Sequence, residues 1–260
     1  AAFLPLPSSQ LLDAGAYDVV VSGPVNSVTS LKGVLTVLEP VSITTHPASV
    51  ALNVGGAHTL SVTATGSTPL TYQWRKGGIP ITGGTGATLA IGSAQLSDAA
   101  TYDVVVGNIA GTVTSQLAAL SVNAPVTILT QPANTGVIPG ASATLRVVAS
   151  GTAPLTYQWF KDGTVLSGGT AAVLSIGSVQ ASHAGSYSVE ISNVVGTVTS
   201  ATALLAVNIP VTILTQPASV SVDQGSLATL SVAATGTAPI SYQWRKGGTA
   251  LTGGTASTLT

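Results

Sequence analysis

The chain has 260 residues, 45% of them hydrophobic and only 6% charged, with 7 Lys+Arg against 8 Asp+Glu and a net charge of −1. So sparse and balanced a charge leaves no electrostatic footprint for nucleic acid or an anionic membrane surface. Mean hydropathy is +0.53, but it comes from Ala, Val and Leu scattered among Thr, Ser and Gly, and no apolar run approaches the roughly 20 residues of a membrane-crossing helix.

Along the chain one unit recurs. Tyr17, Tyr102 and Tyr187 are spaced by 85 residues, and so are the three Tyr-Gln-Trp tripeptides that begin at Tyr72, Tyr157 and Tyr242. A fixed period with two aromatic landmarks per unit marks a tandem array. It divides the chain into a partial unit at 1–38, full units at 40–123 and 125–208, and a second partial unit at 210–260. The opening, Ala1-Ala2-Phe3-Leu4-Pro5, has neither the basic nor the apolar segment of a signal peptide and reads as a mature product or an internal segment.

The full unit 125–208 serves to read the elements. Val126-Thr-Ile-Leu-Thr-Gln-Pro132 alternates and stops at a proline, as an edge strand does. Runs follow at 144–149 and 155–160, separated by the turn Gly151-Thr-Ala-Pro154, and Lys161-Asp-Gly163 closes the second. Further runs lie at 172–176, 185–191 and 197–207. Around seven short strands with frequent turns and no helical periodicity predict a β-sandwich.

Five ordered motifs then carry a resemblance. They are Leu60-Ser-Val62, Trp74-Arg-Lys76, Leu89-Ala-Ile91, Asp98-Ala-Ala-Thr-Tyr102-Asp-Val104 and Asn108-Ile-Ala-Gly111. The next unit repeats them as Leu145-Arg-Val147, Trp159-Phe-Lys161, Leu174-Ser-Ile176, His183-Ala-Gly-Ser-Tyr187-Ser-Val189 and Asn193-Val-Val-Gly196. The pattern resembles the immunoglobulin superfamily, most closely its intermediate type, whose strands B, C, E and F and F–G turn carry these motifs. By that resemblance 1–38 supplies strands E to G and 210–260 supplies strand A through the start of E. It also implies a core of Val62, Trp74, Tyr102 and Val104 in one unit, Val147, Trp159, Tyr187 and Val189 in the next, and Trp244 in the last.

The departure is chemical. The family cysteines are valines here, and the chain has no Cys or Met at all. The resemblance implies that Val62 faces Val104 and Val147 faces Val189, with a tryptophan against each pair. A disulfide closing such a loop would be worth roughly 4 kcal/mol in the chain-entropy model. Burying one valine contributes about 1.5–3 kcal/mol, so two can replace the bridge. His183 stands where the other units have Asp13 and Asp98.

Units meet at Leu38-Glu-Pro40-Val41, Asn123-Ala-Pro125-Val126 and Asn208-Ile-Pro210-Val211. Proline fixes φ, and no Gly/Ser linker intervenes, so the expectation is a rod of end-to-end domains. Each partial unit alone is half a sandwich with an open core. Two readings stay open: a window on a longer repeat protein, or strand complementation between copies, a head-to-tail contact that propagates as a filament.

Residues with the makings of chemistry do not converge. His46, His58 and His183 occupy unrelated places in their units, and Gln131 and Gln216 replace His46 in the others. Acidic residues never form the D-x-D runs of a calcium loop, so no metal or cofactor is expected. Asp18 and Asp103 recur after the tyrosine and read as a solvated face; Lys76, Lys161 and Lys246 read as solvent-facing. Gly83-Gly84-Thr85 and its copies lack the G-K-[ST] ending of a phosphate loop and read as hairpin turns. No nucleophile elbow and no N-x-[ST] sequon occurs. The weakly charged surface lacks lysine gatekeepers on edges such as 126–130 and suits lateral packing or O-linked glycan.

The array therefore looks like the cysteine-free immunoglobulin-like repeats of large secreted or surface proteins of bacteria. That likeness implies an extracellular or cell-surface structural protein without enzyme activity, a fibre or appendage whose partner is itself, head to tail, with no nucleic acid and no membrane insertion. Two alternatives stand beside it: an adhesin stalk or module binding surface glycans, and a spacer of a secreted enzyme. Near-identity of the units, as in the seven shared residues at 126–132 and 211–217, favours the first.

Overall fold

The computed structural model describes residue 6 and residues 8–260. It divides into two compact units, Ala1–Ala124 and Pro125–Thr260. The strand E expected at the start of 1–38 falls, apart from Leu6, outside the described residues. Among the described residues the architecture is all-β, with single 3-10 turns at Leu11–Asp13, Leu96–Asp98 and Ala181–His183.

In the first unit, Thr71–Lys76 lies antiparallel to Ala100–Asn108, which in turn pairs with Ala118–Asn123 and with the short hairpin strand Gly111–Thr114. Val50–Asn53 joins Ala118–Asn123 in parallel and Ile79–Pro80 extends the other edge, giving six strands. Opposite them stand two antiparallel pairs, His58–Ser61 with Thr88–Ile91 and Ser42–Thr45 with Thr63–Thr65. Alternation explains the layering: Ala118–Asn123 buries Ala118, Leu120 and Val122 and exposes the residues between. Leu60, Val62, Trp74, Tyr102, Val104, Val106 and Leu120 form one apolar cluster drawn from both layers.

The second unit repeats this with Thr156–Lys161, Gly185–Ser192, Ala203–Val207, Thr197–Thr199, Thr164–Val165 and a parallel Thr135–Val137. Its cluster gathers Leu145, Val147, Trp159, Tyr187, Val189, Ile191 and Leu205. The sequence run 197–207 is two strands, not one. The break falls where the chain leaves the hairpin with Gly185–Ser192 and returns to pair with the same strand nearer its start. The parallel edge strands Val50–Asn53 and Thr135–Val137 lie where no element was expected.

The last segment differs. Residues 242–246 carry the same Tyr-Gln-Trp-Arg-Lys as 72–76. Yet only Arg245–Lys246 forms a ladder there, with Thr249–Ala250. In the full units this run is held by the strand bearing Tyr102 or Tyr187, which has no counterpart within 210–260. Trp244, expected in a core, is consequently only partly buried, whereas Trp74 and Trp159 are 0% exposed.

Candidate functional site

The repeated residues form a set of internal fastenings. Trp74 and Val104 sit directly opposite on neighbouring strands, as do Trp159 and Val189. Val62 and Val147 join the same clusters, and all are at most 5% exposed. The indole N–H of each tryptophan donates to a carbonyl twelve residues on: Trp74 to Gly86 (2.9 Å), Trp159 to Ala171 (2.8 Å) and Trp244 to Ala256 (2.9 Å). The glutamine of the tripeptide has the next task. Gln73 Nε2 donates to the carbonyls of Trp74 and Ile81, and Gln158 and Gln243 repeat this, closing the following hairpin.

The Gly-Gly-Thr copies are the tips of that hairpin. Gly83 has φ +78, left-handed backbone that favours glycine. Gly84 is needed for space instead: a Cβ there would lie 3.1 Å from the Trp74 Cβ, and at Gly169 only 2.8 Å from the Trp159 Cβ.

Tyr102 and Tyr187 are 2% and 1% exposed, and each hydroxyl donates to the carbonyl four residues back, of Asp98 (2.9 Å) and His183 (2.8 Å). Burial pushes both phenols above their ordinary pKa. Tyr17 makes the same bond to Asp13 at 2.6 Å. The 3-10 turn beneath is capped by Asp98, whose carboxylate accepts the Gln95 N–H at 2.9 Å. His183 does the same through Nδ1, which accepts the Gln180 N–H at 2.8 Å. His46 and Gln131 are likewise equivalent: each accepts a backbone N–H seventy residues on, from Gln116 and Ala201.

One fastening gave no signal beyond its period. Ser115 and Ser200 are buried, 8% exposed each, and accept the N–H of Val104 and Val189 while donating to the next carbonyl. Asn108 and Asn193 fix the turn after the tyrosine strand, Asn108 donating to the Glu39 and Ser67 carbonyls and Asn193 to that of Thr152.

Asp103 departs from the solvated-face reading, whereas Asp18 is exposed. Asp103 is 5% exposed and meets Arg75 with two bonds, 2.8 Å from Nε and 2.6 Å from an Nη. The pairing, through its hydrogen bonds, holds the Arg75 guanidinium above its ordinary pKa. The second unit has Phe160 and Ser188 at these positions. Lys76 is not simply solvent-facing; its Nζ donates to the Ser97 carbonyl at 2.7 Å. Lys161 pairs with Asp162 at 2.8 Å. That hydrogen bond, with a further one from the Ser186 N–H, lowers the Asp162 pKa.

Among the described residues no group of His, Cys, Asp or Glu could hold a metal ion. No helix there is long and apolar enough to cross a membrane. Among the described residues a groove of about 340 Å³ lies on 210–260, lined by Trp244, Tyr242, Val232 and Val211.

Two β-layers fastened around a buried tryptophan and a tyrosine corner define a β-sandwich module used in tandem. The immunoglobulin domain family matches residues 40–108 and 125–193, and the chain belongs to that family. It is 30% identical to hemicentin-1 of Mus musculus over 94% of its length, and spans about 5% of that protein. It is 50% identical over 60 residues, 23% of the chain, to 37% of the decoration protein of Escherichia phage T5. In fold it is similar to the I67–I69 fragment of titin, with a TM-score of 0.60, 24% identity and coverage of 82% of this chain and 81% of that one.

Proposed function

We propose that the chain is a length-giving structural segment of an extracellular or cell-surface protein, with modules set end to end as a rod at 1–38, 40–123, 125–208 and 210–260. The observation that carries this reading is where the repeated polar side chains point. Gln73, Ser115 and their copies bond backbone within their own unit, and Asn108 bonds Ser67 and the junction residue Glu39, so repetition preserves architecture. A relative that is 30% identical over 71% of the chain, a human protein, is named a cell adhesion molecule, which supports a structural or adhesive role. The proline junctions support stiffness. In the finer reading the modules associate end to end and laterally, and the chain does no catalysis. Surface glycans are the other partner class this surface suits.

Negative-stain microscopy of the purified chain tests it. Straight rods or filaments with an axial repeat of about three units are expected, each unit advancing roughly 35–40 Å at strand rise. Compact particles with no preferred axis would overturn the reading. A second reading, display on a larger particle, is favoured only by the 50% identity to the phage decoration protein. It requires isolated rods at every concentration.

A further inference from the structure

We propose that His46 and His183 are acid-sensitive latches, one in each full unit, that release a backbone N–H when their imidazoles take up a proton. The inference is independent of the structural role proposed above and stands on the fastenings themselves.

Both rings meet their partner as acceptors. His46 Nδ1 takes the Gln116 N–H at 3.1 Å, and His183 Nδ1 takes the Gln180 N–H at 2.8 Å. A neutral imidazole has one acceptor nitrogen and the imidazolium has none, because both of its nitrogens carry hydrogen. Each bond therefore requires a neutral ring with its hydrogen on Nε2. A proton on Nδ1 would set two N–H groups against each other, and turning the ring over would put a carbon where the nitrogen was. The backbone dictates this need for an acceptor, since oxygen serves at the same places in other copies. Asp98 Oδ2 accepts the Gln95 N–H at 2.9 Å, and Gln131 Oε1 accepts the Ala201 N–H at 2.9 Å. Between about pH 7.5 and about pH 5 a carboxylate ordinarily stays ionised and a carboxamide does not titrate, whereas imidazole ordinarily does.

The latches hold different parts of the module. His46 directly follows the strand Ser42–Thr45 and ties it to the segment after Ser115, whose hydroxyl fastens Val104. His183 closes the 3-10 turn Ala181–His183, and its own carbonyl accepts the Tyr187 hydroxyl. His58 lies opposite Ile91 in another strand pair and belongs to neither latch.

The neighbouring charges do not compensate for an imidazolium. Around the Tyr187 corner stand Lys161 and Asp162, bonded to each other at 2.8 Å, and Ala203–Val207, which packs on the turn, carries no charge. In the first unit Lys76 Nζ lies 3.7 Å from Asp98 Oδ1. With His183 in place of that aspartate, Lys161 turns instead to Asp162, where the first unit has Gly77. The nearby carboxylate is thus already engaged, and the lysine opposes a second positive charge. Around His46, the ladder partner Thr63–Thr65 and the following strand Val50–Asn53 are uncharged. Ala100–Asn108, bonded to Ser115, carries Asp103, which Arg75 already holds with two bonds.

Amide exchange and nitrogen-15 NMR of the imidazoles, on the full chain at about pH 7.5 and about pH 5, test the proposal, and the molecule supplies its own controls. Protection factors, which correct for the intrinsic pH dependence of exchange, should fall about fivefold or more at Gln116 and Gln180 on acidification. They should stay level at Ala201 and Gln95, the equivalent amides held by oxygen. At the higher pH both rings should show an unprotonated Nδ1. H46Q and H183D each import the other unit's residue, and each should abolish the fall at its own amide while leaving the other latch as in wild type. A hydrogen on Nδ1 of either ring at the higher pH, equal behaviour of histidine-held and oxygen-held amides, or a fall at Gln180 that survives H183D would overturn the proposal.

Discussion

At the residue scale, the second glycine of each Gly-Gly-Thr is a packing residue, not a turn residue. Gly169→Ala would push a methyl group to 2.8 Å from the Trp159 Cβ. Overpacking of this kind costs about 1–3 kcal/mol, and the milder 3.1 Å at Gly84 should make Gly84→Ala the cheaper change. Urea denaturation of the two variants checks the order. Asp162 offers a pH handle. Its hydrogen bonds from Lys161 and the Ser186 N–H lower its folded pKa below the usual carboxylate value. The contribution to stability is therefore present above the unfolded pKa and lost as pH falls through the depressed folded value. In a carbon-detected NMR titration Asp162 should stay ionised below pH 3.8, and Lys161→Met should bring its midpoint back up. Of these residues, the aromatic landmarks were legible in the sequence because their spacing repeats. Ser115 was not: a serine among many serines becomes distinctive only once it faces the Val104 N–H.

At the element scale, the Arg75–Asp103 pair and the Phe160–Ser188 pair are alternative solutions at one cross-strand position. Removing one charge should therefore hurt more than exchanging both. Arg75→Ala leaves a carboxylate of 5% exposure without its partner, whereas R75F/D103S imports the neighbouring unit's pair. We expect thermal unfolding to rank wild type and the double variant above either Arg75→Ala or Asp103→Ala. A double variant no better than the singles would show that the surroundings of the pair, not the pair itself, have diverged. Sequence alone misplaced Asp103 on a solvated face, because an alternating strand tells which residues share a side and not how closely the neighbouring strand covers them.

At the scale of the whole molecule, stability is divided between two clusters built without sulfur, one centred on Trp74 and one on Trp159. A tryptophan-to-alanine change in a core costs about 3–5 kcal/mol, a large share of the ~4–13 kcal/mol that a unit of this size has at ~0.05–0.15 kcal/mol per residue. Trp159→Ala should accordingly abolish slow amide exchange across 125–208 and leave that of 40–123 unchanged. Loss of protection in both units would mean that they fold as one cooperative body. The sequence by itself determined the period and the all-β character, because alternation and recurring aromatics are local properties. Whether a given copy becomes a core was decided by tertiary structure alone. Tyr-Gln-Trp-Arg-Lys is a fully laddered strand around a buried indole at 72–76 and a mostly unladdered one around a half-open indole at 242–246. The same five residues differ because a strand's hydrogen bonds and the cover over its tryptophan both come from the neighbouring strand, which lies far away in sequence.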